Sequence, residues 1–322
     1  MQLNEEGRIC MSFLYFLEGL RVPGLNEFML AITTLGEETA FLVIALILFW
    51  CVDKRRGYYV LSVAFLGIAV NQFLKLWFQI PRPWVMDEKF TILEQAREEA
   101  SGYSFPSGHT QNACGMLGAL AYTEKRKWLG WTCILLAILV GFSRMYIGVH
   151  TPADVLTSIA IASVLILVLR PLILGKREDI LPWLLLFLLL FSFGLLAFVE
   201  AYPFSEDVDA HNLESGVKNA YTLIGCSAGL LIVYAVDRRF LHFETKDCWW
   251  VQVLKVLGGF VLVLVVKEGL RAPLEALCNG HMIARAVRYC ILVLCAGILW
   301  PMAFPYIRKL ERKKVHDNES CC

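Results

Sequence analysis

No charged side chain occurs between Leu181 and Phe198, and Val251–Val266 carries only Lys255. Runs of this kind are long and apolar enough to cross a bilayer, which takes roughly 20 residues of helix. They fix the solvent before they fix the fold, because such a chain belongs in lipid. Composition agrees, with 57% hydrophobic and 18% charged residues and a mean hydropathy of +0.58. The expected fold is all-α, a polytopic transmembrane helical bundle. Nine spans are expected, at about 28–51, 58–80, 108–123, 128–147, 153–173, 181–200, 217–236, 250–270 and 286–306. The segment 9–22 is shorter and carries Glu18 and Arg21. It reads as an N-terminal amphipathic helix lying at the interface.

The charges left between the runs set an orientation. Basic clusters stand at Lys54/Arg55/Arg56, Lys125/Arg126/Lys127, Arg170/Lys176/Arg177, Arg238/Arg239/Lys246 and Arg308/Lys309/Arg312/Lys313/Lys314. They alternate with acidic or mixed connectors holding Asp87/Glu88/Glu94/Glu98/Glu99 and Glu206/Asp207/Asp209/Glu214. Basic loops stay cytoplasmic, so the N-terminus is expected outside and the C-terminus in the cytoplasm. Glu5 and Glu6 precede the apolar stretch Met11–Leu20 where a signal peptide would be basic, so no cleavable leader is expected. A bacterial plasma membrane fits this pattern, although a reticulum membrane obeys the same charge rule. The 11 cysteines include no C-x-x-C pair, which gives no indication of a zinc site or a disulfide framework. The basic clusters are short, separated and accounted for by topology, so no nucleic-acid partner is expected.

Three short strings fall at span ends on the expected outer side. Lys75-x6-Arg82-Pro83 closes the second span, and Phe105-Pro106-Ser107-Gly108-His109 opens the third. Ser143-Arg144-x5-His150-x3-Asp154 bridges the fourth and fifth. Thr151-Pro152-Ala153-Asp154 is a helix start, with Thr151 as cap, proline in the first turn and an acid completing a capping-box-like pattern. His150 and Asp154 are one turn apart, so the carboxylate is placed to accept an imidazole N–H, fixing the tautomer and leaving the other nitrogen able to attack. Asp154 can also serve as a simple helix cap, and the two roles are compatible. Ser107 reads as an N-cap, Gly108 lets a ligand approach the backbone, and the amides of a helix start point at an anion. His109 sits in that first turn, positioned to protonate a leaving oxygen. Lys75, Arg82 and Arg144 are costly at membrane depth unless paired. Tyr103, Glu98 or Glu99 could pair some of them, whereas one phosphate would satisfy all three. The acidic loop 84–105 joins the first two strings and reads equally as a lid or as a solvated connector.

These strings resemble, at every signature position, the type 2 phosphatidic acid phosphatase superfamily, which also holds glucose 6-phosphatase and the vanadium haloperoxidases. The resemblance covers about residues 10–173. It implies that His150 is a nucleophile forming a phosphohistidine, that Asp154 orients it, and that His109 is the general acid. It implies that Lys75, Arg82, Ser107, Gly108 and Arg144 bind the phosphoryl oxygens, with Ser143 in support. It further implies metal-independent hydrolysis without a cofactor, in keeping with the lack of a carboxylate-rich metal motif. The expected division is a phosphatase core over 1–175, followed by additional transmembrane helices and a cytoplasmic tail over 176–322. The expected substrate is a lipid phosphate or polyprenyl diphosphate. A soluble phosphate ester, as for glucose 6-phosphatase, and a catalytically silent lipid-phosphate binder or transporter stay open as alternatives.

Overall fold

Hydrocarbon leaves a backbone no partner but itself, and the apolar runs answer by coiling. The computed structural model describes residues 5–98, 100, 102–175, 180–204, 208 and 210–309, with side chains from Cys10 onward. Glu99, Lys176, Arg177, Glu206, Asp207, Asp209, Arg312, Lys313 and Lys314 of the charge pattern lie outside the described residues. Among the described residues every regular element is helical and there is no strand. In chain order the helices are α1 (Glu5–Gly19), α2 (Pro23–Thr33), α3 (Glu38–Ile47), α4 (Lys54–Phe78), α5 (Pro83–Met86), α6 (Gly108–Thr123) and α7 (Lys127–Ile147). They continue with α8 (Pro152–Leu174), α9 (Leu181–Ala201), α10 (Ala210–Val236), α11 (Trp249–Gly269), α12 (Arg271–Leu277), α13 (Ile283–Leu294) and α14 (Trp300–Met302).

Among the described residues 7 helices are long and apolar enough to cross a membrane, or 8 if the pair Pro23–Gly36 and Glu38–Val52, bent by 53°, makes one span. The third expected span, 108–123, is α6 and is not among them. Its 16 residues rise only about 24 Å, short of the roughly 30 Å of hydrocarbon. Hydropathy alone does not distinguish a short buried helix from a span. Most of one side of α6 is buried, including Thr110, Gln111, Ala113, Met116 and Ala119.

The chain divides into two compact units. The first comprises Met1–Leu42, Tyr59–Pro171 and Ala201–Gly216. Here α6 packs along α7, which also receives α2. The Tyr59 hydroxyl donates to the Ile166 carbonyl at 2.9 Å, tying α4 to α8. The interfacial helix expected at 9–22 is α1, whose 15 residues are too few to span. Met11 and Leu14 pack with Phe90 and Ile92 of the loop that follows α5, while Phe16 stays exposed on the opposite face. Arg21 donates to the carbonyls of Tyr146 at 3.0 Å and Thr91 at 2.9 Å. The N-terminal helix is thereby fastened over the end of α7.

The second unit comprises Val43–Tyr58, Leu172–Glu200 and Val217–Cys322. Lys255, inside the apolar run of α11, is fully buried. It is neutralised by Asp247, which also pairs with Arg308, and its ammonium lies 4.3 Å from the Phe304 ring centre. Trp50 is buried as well and donates its indole N–H to the Ala296 carbonyl at 2.9 Å. Helices α10 and α13 run in the same direction, Thr222 meeting Arg285 and Gly229 meeting Val293. They approach so closely at Gly225 that a Cβ there would stand 2.2 Å from the Ala286 carbonyl oxygen. Small residues allow this approach where lipid supplies no hydrophobic drive for helix pairing.

Candidate active site

Four helix ends of the first unit converge: the end of α4, the start of α6, the end of α7 and the start of α8. The last residue of α7 is followed by Gly148 at φ 93°, a left-handed conformation that glycine adopts without strain. A Cβ at this position would also collide with Arg21 and Phe90. The turn delivers Val149 and His150 directly into the start of α8.

At that start the capping pattern forms. The Asp154 amide donates to the Thr151 hydroxyl at 3.3 Å, and the Thr151 amide donates to Asp154 Oδ2 at 2.8 Å. The same Oδ2 receives the Ser104 hydroxyl at 2.6 Å and stands 3.3 Å from His150 Nδ1. Asp154 therefore caps its helix and orients the histidine at once. With Nδ1 as donor, Nε2 carries the lone pair, and it lies 2.9 Å from Arg82 Nη1. His150 is 1% exposed. Burial holds its pKa well below the ordinary imidazole value, aided by the charges of Arg82, Arg144 and Lys75 and by neighbouring His109. Those neighbours put both histidines and all three cations in one electrostatic neighbourhood.

Lys75, Arg82 and Arg144 are all buried, and carbonyls of the loop that follows α5 meet the first two. Lys75 donates to the Tyr103 carbonyl. Arg82 donates from Nε to the Gly102 carbonyl at 3.0 Å and from Nη1 to the Val149 carbonyl at 2.9 Å. Arg144 donates to the Thr33 hydroxyl at 2.8 Å. The loop is further pinned by the Leu93 amide on the Ile147 carbonyl at 3.1 Å. Trp84 lies within cation–π range of both Arg82 and Arg97. Of the partners expected for the cations, Tyr103 meets Lys75 through its carbonyl, and Glu94 of the same loop pairs with Arg97 at 2.6 Å.

Ser107 is the N-cap of α6, accepting from the Thr110 amide at 3.4 Å. Its carbonyl receives the Ser158 hydroxyl at 2.9 Å, and its amide donates to the Asp154 carbonyl at 3.3 Å. The α6 start is thus fixed to the α8 start. Gly108 and His109 are half-buried, more open than His150. Ser143 turns back to the Val140 carbonyl of its own helix at 2.7 Å. Ser104 and Thr33 were not among the expected site residues. Ser104 stands next to the second string and could have been suspected, but nothing in the sequence links Thr33 to Arg144.

Chemically this is a cluster that can hold an oxyanion with fixed positive charge and present to it one oriented imidazole and a second, more open one. The fold and cluster define a helical integral membrane protein with a cationic site at one set of helix ends. The PAP2 superfamily model matches residues 56–178, and a second model, described as PAP2 superfamily phosphatase, transmembrane extension, matches 221–312. The chain is 30% identical over 164 residues to phosphatidylglycerophosphatase B of Bacillus subtilis, covering 47% of this chain and 76% of that protein. It is 32% identical over 129 residues to undecaprenyl-diphosphatase BcrC of Bacillus subtilis, covering 39% of this chain and 63% of that protein. A crystal structure of a transmembrane PAP2-type phosphatidylglycerolphosphate phosphatase from Bacillus subtilis is 27% identical, with a TM-score of 0.47, covering 55% of this chain and 90% of that one. The chain belongs to the PAP2 superfamily. Its later helices, which the signature strings do not reach, match a family extension of their own.

Proposed function

We propose that this protein is an integral membrane phosphatase hydrolysing a lipid phosphate or polyprenyl diphosphate through a phosphohistidine, on the non-cytoplasmic side of a bacterial plasma membrane. The observation that carries the reading is His150 held between Asp154 and Arg82, beside Lys75 and Arg144. A binder needs the cations, but it does not need an imidazole whose tautomer is fixed by a carboxylate. The names of the relatives support a lipid-borne substrate, since they act on undecaprenyl diphosphate and phosphatidylglycerophosphate. The alternation of basic loops supports a cytoplasmic C-terminus and an outward-facing site. Residues 1–175 carry the chemistry in this scheme, and 176–322 add helices and the tail.

Phosphate oxygens enter among Lys75, Arg82 and Arg144 and the amides after Ser107. His150 Nε2 attacks phosphorus as the bond to the leaving oxygen breaks, and His109 supplies that oxygen with a proton. Water then attacks the phosphohistidine, giving a proton back to His109 and releasing phosphate from Nε2. The cations stabilise the charge spread over the equatorial oxygens in both steps. Purified protein should release phosphate from polyprenyl diphosphate or phosphatidate at least about 10-fold faster than from a sugar phosphate, with chelator present. Preference for the sugar phosphate would transfer the reading to soluble esters, and lipid movement without phosphate release would make the protein a transporter.

Ser104 acts in this scheme as a positioning residue. Its hydroxyl shares Asp154 Oδ2 with His150, so Ser104→Ala frees the carboxylate to turn. We expect kcat to fall about 10-fold, the equivalent of one hydrogen bond to a charged group, with KM little changed. Ser104→Thr should restore most of the loss, and an unchanged kcat in the alanine variant would remove the role.

A further inference from the structure

The second unit holds an arginine that the chemistry above does not use. Arg288 lies on α13 within the span Ile283–Lys309, and it is only 8% exposed. Its Nε is buried without a hydrogen-bond partner among the described residues. An arginine at such a position is costly and calls for an anion. The neighbouring Arg285 is half-buried and anchored to α10 by Nε donating to the Thr222 hydroxyl at 2.7 Å. Both guanidinium carbons lie 5.4 Å from the centre of the same Tyr289 ring. Two planar cations are thus gathered about one aromatic ring, near the start of α13. On the orientation proposed above they sit at the outer end of the span, where the charge rule does not ask for arginine.

We propose that Arg288, with Arg285 across the Tyr289 ring, forms a second anion site that takes the phosphate of an anionic membrane phospholipid. Guanidinium forks match phosphate oxygens, and a ring beside them keeps the forks flat and in place. The phosphate would come from a lipid because Ile283 and Val287, the adjoining face of α13, are exposed apolar residues suited to acyl chains. The site is built from residues of the second unit and does not depend on the reading of the His150 cluster as a phosphatase.

The test is the thermal midpoint of the full chain in a neutral detergent. Added phosphatidylglycerol at saturation should raise it by about 5 °C, and phosphatidylcholine should not. Arg288→Met is of similar length and apolar, so it should leave the lipid-free midpoint unchanged or higher while removing most of the phosphatidylglycerol shift. Arg82→Ala, in the catalytic cluster, should keep the shift. A shift retained in Arg288→Met, or lost in Arg82→Ala alone, would overturn the proposal. So would an equal shift from inorganic phosphate, which would assign the site to a soluble anion.

Discussion

His150→Ala should lower phosphate release by roughly 10⁴-fold, because it removes the atom that we propose forms the covalent intermediate. The buried imidazole leaves a cavity, but its neighbours Arg82 and Asp154 keep the carbonyl and amide partners described above, so the protein should still fold and bind the substrate phosphate. Single-turnover experiments on labelled substrate should show no protein-bound phosphate in this variant. Retention of more than about 1% of turnover would exclude His150 as the nucleophile. The pH profile offers a second check. A histidine whose pKa is held low is neutral, and able to attack, well below the ordinary value near 6.5. Any acid limb that His150 adds to kcat/KM should therefore fall below the ordinary imidazole value, and a limb at that value should survive in variants that alter only the surroundings of His150.

Asp154 gives the second large effect, and two substitutions separate its parts. Asp154→Asn can set its amide oxygen where Oδ2 now accepts from Ser104 and Thr151, so it keeps the hydrogen bonds and loses the charge. Asp154→Ala loses both, together with the cap of α8. In a comparable carboxylate–imidazole pair, the asparagine change costs about 10⁴ in kcat; here an oxygen at the Oδ2 position still faces Nδ1, so the loss comes from the missing charge beside the imidazole. We expect Asp154→Asn to lose about 10³-fold in kcat here. The alanine variant should lose at least as much and be less stable by about 1 kcal/mol from the missing cap. Equal activity of the asparagine variant and the unaltered protein would reduce Asp154 to a helix cap.

The membrane fold was legible because hydropathy is a local property, written continuously along runs such as Leu181–Phe198. The length of α6 was less so, since an apolar run of 16 residues reads much like one of 20. In the site, the strings Lys75–Pro83, Pro106–His109 and Ser143–Asp154 were legible because helix starts and one-turn spacings are local too. The burial of the cations was not. It depends on the Gly102 and Tyr103 carbonyls folding back over α4, and a loop of mixed polarity does not announce its path. Thr33 reaches Arg144 across 111 residues of sequence, a distance over which no spacing rule operates. The disposition of Arg285 and Arg288 about Tyr289 is different again. The residues are consecutive enough to be seen, but only the burial of Arg288 distinguishes them from ordinary interfacial arginines.

The contact between Arg82 and His150 Nε2 has a consequence for timing. At rest the attacking lone pair is already occupied by a guanidinium N–H, so the imidazole is shielded from stray electrophiles arriving from the membrane surface. In the proposed reaction an incoming phosphate would draw Arg82 away, since its oxygens are the stronger acceptors for the same fork. Cargo recognition and arming of the nucleophile would then be a single exchange of one hydrogen bond, and molecules without a phosphate would not release the catch.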